Sequence, residues 1–260
     1  MGQLLFTEDE WNQSVPQVVA DMTDFLRKYR TPVFEDFGDH GAGWGSGSYL
    51  ELAGRIFILT NEHVAHVRHD GRDLAYQFDQ QEDILRVVGN HVELPAPFDL
   101  ALLPVDELKW KDHSNGSSAI QLDQIALAHS PVQTEILTFS GFAGGNAGFH
   151  FGTLASMATC YTSREIVLPD DSRFSSRYHF GLDYRPDLAT DVIGKEGLPL
   201  PPGLSGSIVW NTGFVAAKMQ SVQWTPELAR VTGVVWGWPP ENACLVATRA
   251  EYLRSFLLGI

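Results

Sequence analysis

The chain has 260 residues, 44% of them apolar and 19% charged, which is ordinary for a soluble protein with a sizeable core in one large or two small domains. Thirty-two acidic against eighteen basic residues give a net charge of −14, a field that repels phosphate backbones and anionic lipid head groups and argues against nucleic acid or a membrane as partner. Two cysteines, Cys160 and Cys244, exclude a disulfide framework and predict reduced, buried thiols.

The N-terminal "MGQLLFTEDEW" has no basic segment before its short apolar run, so it does not read as a secretory signal, and Phe6 stands where a myristoylation pattern needs Ser or Thr. No stretch approaches the roughly 18 apolar residues of a membrane span. These features predict a cytoplasmic protein. Two overlapping capping boxes, Thr7-x-x-Glu10 and Ser14-x-x-Gln17, precede Val15, Val18, Val19, Met22, Phe25 and Leu26 at helical spacing, which predicts an amphipathic helix of roughly four turns that stops at "RTP". From Pro32 to about Pro240 the pattern becomes short β-type runs separated by Gly, Pro, Asn and Asp turns: "SGSYLEL", "RIFILT", "DLAYQFD", "ILRVVGNHVEL", "LALLPV", "TEILTFSGF", "REIVLP", "RYHFGLDY", "GSIVWN" and "RVTGVVWGW". The polar segment 109–133 is the best connection between two halves of this β body. A third capping box, Thr248-x-x-Glu251, introduces Tyr252, Leu253, Phe256 and Leu257 on one face and predicts a closing helix.

Three histidines at spacing three, His63, His66 and His69, raise the question of a metal. On a helix these positions fan across the surface, and on a strand they alternate faces, so neither backbone brings all three to one ion. The HExxH order is also absent, because Glu62 precedes His63. The expectation is no metal and no cofactor, with His66 and His69 solvated on a short helical turn. His63 differs, because it stands just past the strand "RIFILT", where a side chain can face a cleft. Asp99 heads the apolar strand of "FDLALLPV", where an unpaired carboxylate would carry a desolvation cost unless a donor such as an imidazole N–H is near. Ser205 lies in a Gly-x-Ser-Gly turn that feeds another apolar strand. Taken singly, these residues could equally be a satisfied surface histidine, a strand-start cap and a turn serine.

Together and in this order the three segments resemble the trypsin-like (chymotrypsin-fold) serine peptidases, in their bacterial and viral branches without digestive-type disulfides. "GWGSGSYLELAGRIFILTNEHVA" is similar to the opening strands and histidine motif, with Thr60-Asn61-Glu62-His63 in place of Thr-Ala-Ala-His. "FDLALLPV" is similar to the aspartate motif, "PGLSGSIV" to the nucleophile loop and "VTGVVWGW" to the strand after it. The resemblance covers residues 43–256 and leaves out the N-terminal helix. It implies an all-β fold of two antiparallel barrels, with a helical extension in 1–31, a first barrel in 32–120 carrying His63 and Asp99, and a second in 121–260 carrying Ser205 and the C-terminal helix. It implies a His63-Asp99-Ser205 triad, an oxyanion hole from the N–H groups of Gly203 and Ser205, and a substrate-binding strand at Val235, Trp236, Gly237 and Trp238. The expected partner is a protein or peptide substrate, with a regulatory protein as a further partner. The competing expectation is an inactive binding module that presents the cleft to a partner protein. Leu204 stands where the digestive enzymes have the acid that receives a new N-terminal amine, so that activation device is not expected here. Trp238 is placed to restrict the specificity pocket, and no acid is assigned to its base.

Overall fold

The computed structural model describes residues 5–38, 40–113, 116–143, 147–150, 153–156, 158–188 and 197–260. Helix α1 (Glu8–Arg27) starts at Thr7, whose hydroxyl accepts from the Glu10 N–H while the Glu10 carboxylate accepts from the Thr7 N–H; of the two predicted capping boxes this one is formed, and Ser14 lies inside the helix. The first sheet is built from β1 (Arg30–Asp36), β2 (Gly41–Leu52), β3 (Arg55–Thr60), β4 (Asp73–Gln77), β5 (Ile84–Arg86), β6 (Val92–Leu94) and β7 (Leu100–Pro104), in the spatial order β5-β4-β1-β2-β3-β7-β6. All its pairings are antiparallel. Between β3 and β4 lie α2 (Glu62–Ala65) and a 3-10 turn (His66–Asp70), and α3 (Glu107–His113) follows β7.

The second sheet contains β8 (Leu137–Gly141), β11 (Thr159–Ser163), β12 (Glu165–Ile166), β13 (His179–Asp183), β14 (Ile208–Asn211), β15 (Arg230–Gly237) and β16 (Cys244–Arg249), ordered β11-β8-β14-β15-β16-β13-β12; β9 (Ala147–His150) and β10 (Thr153–Ser156) pair only with each other. Helix α4 (Phe214–Met219) follows β14, and α5 (Ala250–Leu258) follows β16. Thus "RTP", read as the end of a helix, also opens a strand, and "CLVATR" is a strand that the pattern reading passed over. The third capping box does not form: Arg249 is the N-cap of α5 and contributes no side-chain bond, the Thr248 hydroxyl donates to the Phe98 carbonyl, and Glu251 accepts from the His129 N–H.

Each sheet wraps its own core. Val33, Tyr49, Ile58, Tyr76 and Leu103 fill the first, and Phe139, Phe180, Leu182, Tyr184 and Leu245 the second. A third and larger cluster joins them, in which Leu50, Leu59 and Leu102 from the first sheet meet Trp210, Val231 and Val234 from the second, closed off by Met22 and Leu26 of α1 and Leu253 and Leu257 of α5. Apolar residues on one face of each antiparallel sheet are thereby buried against one another. Cys160 and Cys244 are free thiols whose pKa values burial pushes up, Cys244 to about 11, so neither is a thiolate nucleophile near neutral pH. No helix among the described residues is long and apolar enough to cross a membrane.

Candidate active site

The apolar run of β3 ends at Thr60, and the chain then turns into α2, which puts His63 in the first turn past the strand. Asp99 closes the turn before β7 with φ +52°, a left-handed conformation that Asp tolerates better than most residues and that the surroundings must hold in place. Its carboxylate takes His63 with both oxygens. Oδ2 lies 2.6 Å from His63 Nδ1, and Oδ1 accepts the His63 backbone N–H at 2.9 Å. With Asp99 only 10% exposed at its side chain, this double contact supplies the donors that a buried carboxylate requires. Nδ1 therefore carries a proton toward Asp99, and Nε2, which has no partner among the described residues, is the basic nitrogen on a side chain that is 45% exposed.

The aspartate turn is braced from both sheets. The buried Asn61 amide donates to the Asp99 carbonyl (2.7 Å), Thr248 of β16 donates to the Phe98 carbonyl (2.7 Å), and His179 of β13 contacts the Pro97 carbonyl through Nε2 (2.7 Å). Because His179 Nδ1 accepts the Ser175 N–H at 3.1 Å, its ring is the neutral tautomer with the proton on Nε2. Burial holds its pKa below the ordinary histidine value, with a smaller contribution from Arg249.

Ser205 sits on the turn between Pro201 and Ser207, which is fastened at both ends. Leu204 N–H donates to Pro201 O and Ser207 N–H to Leu204 O, while Gly206 N–H donates to Val235 O and Val235 N–H to Ser207 O. Gly203 and Gly206 adopt φ of +95° and +87°, conformations that favour glycine. At Gly206 a Cβ would also overlap the Ser46 carbonyl oxygen and the Thr60 hydroxyl. The N–H groups of Gly203 and Ser205 have no hydrogen-bond acceptor among the described residues, whereas Leu204, Gly206 and Ser207 are all satisfied. Two unsatisfied donors, one on the serine itself and one two residues before it, are a pair of the kind that can receive an oxyanion.

Strand β2 connects the two halves of the site. Trp44 Nε1 donates to the Val64 carbonyl at 3.1 Å, fastening α2, which carries His63, to β2. A Cβ on Gly45 would touch both the Val64 side chain (2.8 Å) and the Ser205 carbonyl oxygen (3.3 Å). Ser46 then reaches the Ser205 turn twice, through its N–H to Ser205 O (2.7 Å) and its hydroxyl to Gly203 O (2.7 Å), and the hydroxyl accepts Phe142 N–H at 2.8 Å. Consecutive residues of one strand thus touch both Val64, the residue after His63, and the turn that carries Ser205. Sequence reasoning missed Ser46, His179 and Thr248; the only signal for Ser46 was the small-residue run "GWGSGS".

Beside Ser205 is a cavity of about 70 Å³ lined by Pro201, Leu204, Val235, Gly237, Trp238 and Leu245 among others. Three of the four residues expected to bind substrate, Val235, Gly237 and Trp238, line it. Trp236 packs elsewhere, on Phe174 and His179, with its indole N–H buried and unpartnered. Val235 has its backbone committed to the Ser205 turn. Glu62 turns away from His63, to His66 Nδ1 at 3.0 Å.

The fold is that of the chymotrypsin-like serine proteases. Similar solved structures include the serine protease domain of the Sesbania mosaic virus polyprotein, with 13% identity, coverage of 88% of this chain and 92% of that one, and a TM-score of 0.50. Another is the inactive form of Rv3671c from M. tuberculosis, with 14% identity, coverage of 94% and 93%, and a TM-score of 0.50. No family model and no curated protein matches the sequence.

Proposed function

We propose that this protein is a serine endopeptidase that cleaves peptide bonds through an acyl-enzyme on Ser205. The observation that carries the reading is the Asp99–His63 contact, in which one carboxylate fixes both the backbone and the Nδ1 edge of the histidine. A serine hydroxyl needs a base at neutral pH, and a base needs an orienting partner. Nε2 of His63 takes the Ser205 proton as Oγ bonds to the scissile carbonyl carbon, and Asp99 stabilises the imidazolium. The carbonyl oxygen, now anionic, is received by the N–H groups of Gly203 and Ser205. The C–N bond breaks as His63 returns the proton to the leaving amine, and a water repeats the sequence to release the acid. No cofactor is required.

The cavity favours a short aliphatic side chain at the cleavage point. It is small, it has no charged lining, and Trp238 forms one wall. The acidic surface steers basic substrates toward the molecule only weakly compared with this local fit. Because Leu204 is fully buried and Ser46 fastens the nucleophile turn, the site does not depend on an amine released by cleavage.

A fluorophosphonate probe followed by mass measurement tests the reading. The intact protein is expected to gain one adduct at Ser205, lost in Ser205→Ala and reduced at least 100-fold in rate in His63→Ala. A folded wild-type protein that gains no adduct overturns the peptidase reading and points to a binding module that uses the same cleft.

A further inference from the structure

We propose that His66, His69 and Glu93 form a binding site for one divalent transition-metal ion of the zinc class. Nothing in the peptidase reading requires it. The three side chains come from two elements, the 3-10 turn after α2 and strand β6, and offer ligand atoms that all lie within 4.8 Å of one another. His69 Nε2 is 3.1 Å from Glu93 Oε2, and the rings of His66 and His69 are 5.0 Å apart. Two imidazoles and a carboxylate are a donor set suited to zinc, and to nickel or copper, and a poor one for calcium or magnesium, which take oxygen ligands.

The surrounding groups orient these ligands as a metal site requires. Glu62 accepts at His66 Nδ1 (3.0 Å), which leaves Nε2 of that ring for the ion. Glu93 gives its other oxygen, Oε1, to His91 Nε2 at 2.5 Å, so Oε2 is the one left for the ion. His91, whose side chain is only 10% exposed, is held in turn by Arg68, whose guanidinium faces His91 Nδ1 at 3.2 Å and also donates to the Val87 carbonyl. Since Arg68 can only donate, His91 Nδ1 is an acceptor and its Nε2 bears the proton given to Glu93. Each of the two ligands Glu93 and His66 thus has one edge occupied by a partner and the other left for the ion.

His63 is not a member of the set, because its Nδ1 belongs to Asp99. The ion instead ties the turn that directly follows His63 to the strand that leads into the Asp99 turn. It is a clamp across the two segments that hold the histidine and its carboxylate, with a fourth position open to water.

Isothermal titration of the intact protein with Zn²⁺, after treatment with a chelator, tests the proposal. One site is expected, with His69→Ala and Glu93→Gln each weakening it at least 10-fold, His91→Ala weakening it by roughly 10–100-fold through loss of orientation, and His63→Ala leaving it unchanged. Cobalt in place of zinc is expected to give the visible absorption of a low-symmetry site, lost in His69→Ala. All four residues lie at or near the surface, and a circular dichroism melt without metal checks that the variants fold. Absence of saturable binding, binding unaffected by His69→Ala and Glu93→Gln, or binding abolished by His63→Ala would each overturn the proposal.

Discussion

Ser46 carries more of the site's geometry than any residue outside the proposed triad. Its hydroxyl donates to Gly203 O and accepts from Phe142 N–H, so Ser46→Ala leaves a part-buried acceptor and a part-buried donor unsatisfied, at a cost of about 1 kcal/mol for each group. The same change frees the Gly203 carbonyl and so loosens the backbone of Gly203, whose N–H, in the preceding peptide, is one of the two proposed oxyanion donors. If the peptidase reading holds, kcat falls by roughly 10–100-fold with KM little changed, because the loss is felt most where the oxyanion develops. Steady-state kinetics on a peptide with a short aliphatic residue at the cleavage point check this; a change in KM alone would contradict it. Gly203→Ala is a second test at this scale. At φ +95° a Cβ is strained, so the peptide rotates and the donor is lost, and a fall in kcat of about 10²–10³ is expected. These two residues differ in how legible they are. Gly203 is visible in the sequence because Gly-x-Ser-Gly is a local pattern, whereas Ser46 acts on a turn more than 150 residues away and no periodicity marks it.

At the scale of elements, the turn that presents Asp99 belongs to the first sheet but is held by His179 and Thr248 of the second. The histidine makes this support sensitive to pH. Its folded-state pKa lies below the unfolded value of 6.5, chiefly through burial, so below about pH 6.5 the unfolded chain binds more protons than the folded one. The stability that neutral His179 contributes is complete above pH 6.5 and is lost as pH falls through the folded-state pKa. Protonation also turns Nδ1 into a donor facing the Ser175 N–H. Urea midpoints measured at pH 7.5 and 5.5 are expected to fall in the wild type and to fall less in His179→Gln; equal decreases in both proteins would reject this role. Strands with strong apolar runs, such as β3, β7 and β15, were legible from the sequence, and so was the capping box of α1. β1 was hidden behind the proline that seemed only to end a helix, and β16 behind a Thr-x-x-Glu pattern whose side chains bond across the sheets instead of capping. The histidine triplet shows the same limit. Spacing correctly separates His63 from its neighbours, yet Glu93, which meets His66 and His69, becomes adjacent only when β6 pairs with β7 beside β3.

For the whole molecule, the decisive packing is the cluster between the two sheets, since the proposed site lies where they meet. Helix α1 falls outside the segment that resembles a peptidase, but it closes this cluster: Val18, Met22 and Leu26 are buried in it, Phe25 packs edge-on against Trp210 at 5.8 Å, and Phe6 stacks on Phe214 at 5.2 Å to pin the helix start. The helix is therefore part of the core and not an appended arm. Met22 has no exposed surface, so Met22→Ala removes its transfer free energy and leaves a cavity, together about 2–5 kcal/mol. Leu127, 80% exposed, provides the contrast, with Leu127→Ala expected within about 0.5 kcal/mol of wild type. The two hypotheses for α1 separate in the activity data. If the helix only completes the core, Met22→Ala lowers the urea midpoint while the rate of fluorophosphonate labelling per folded molecule stays at the wild-type value in the absence of denaturant. If the helix also sets the relation of the two sheets, the labelling rate falls even where the protein is fully folded. The first outcome is expected, because β2 bonds through its own residues to Val64, next to His63, and to the turn that carries Ser205, without help from α1.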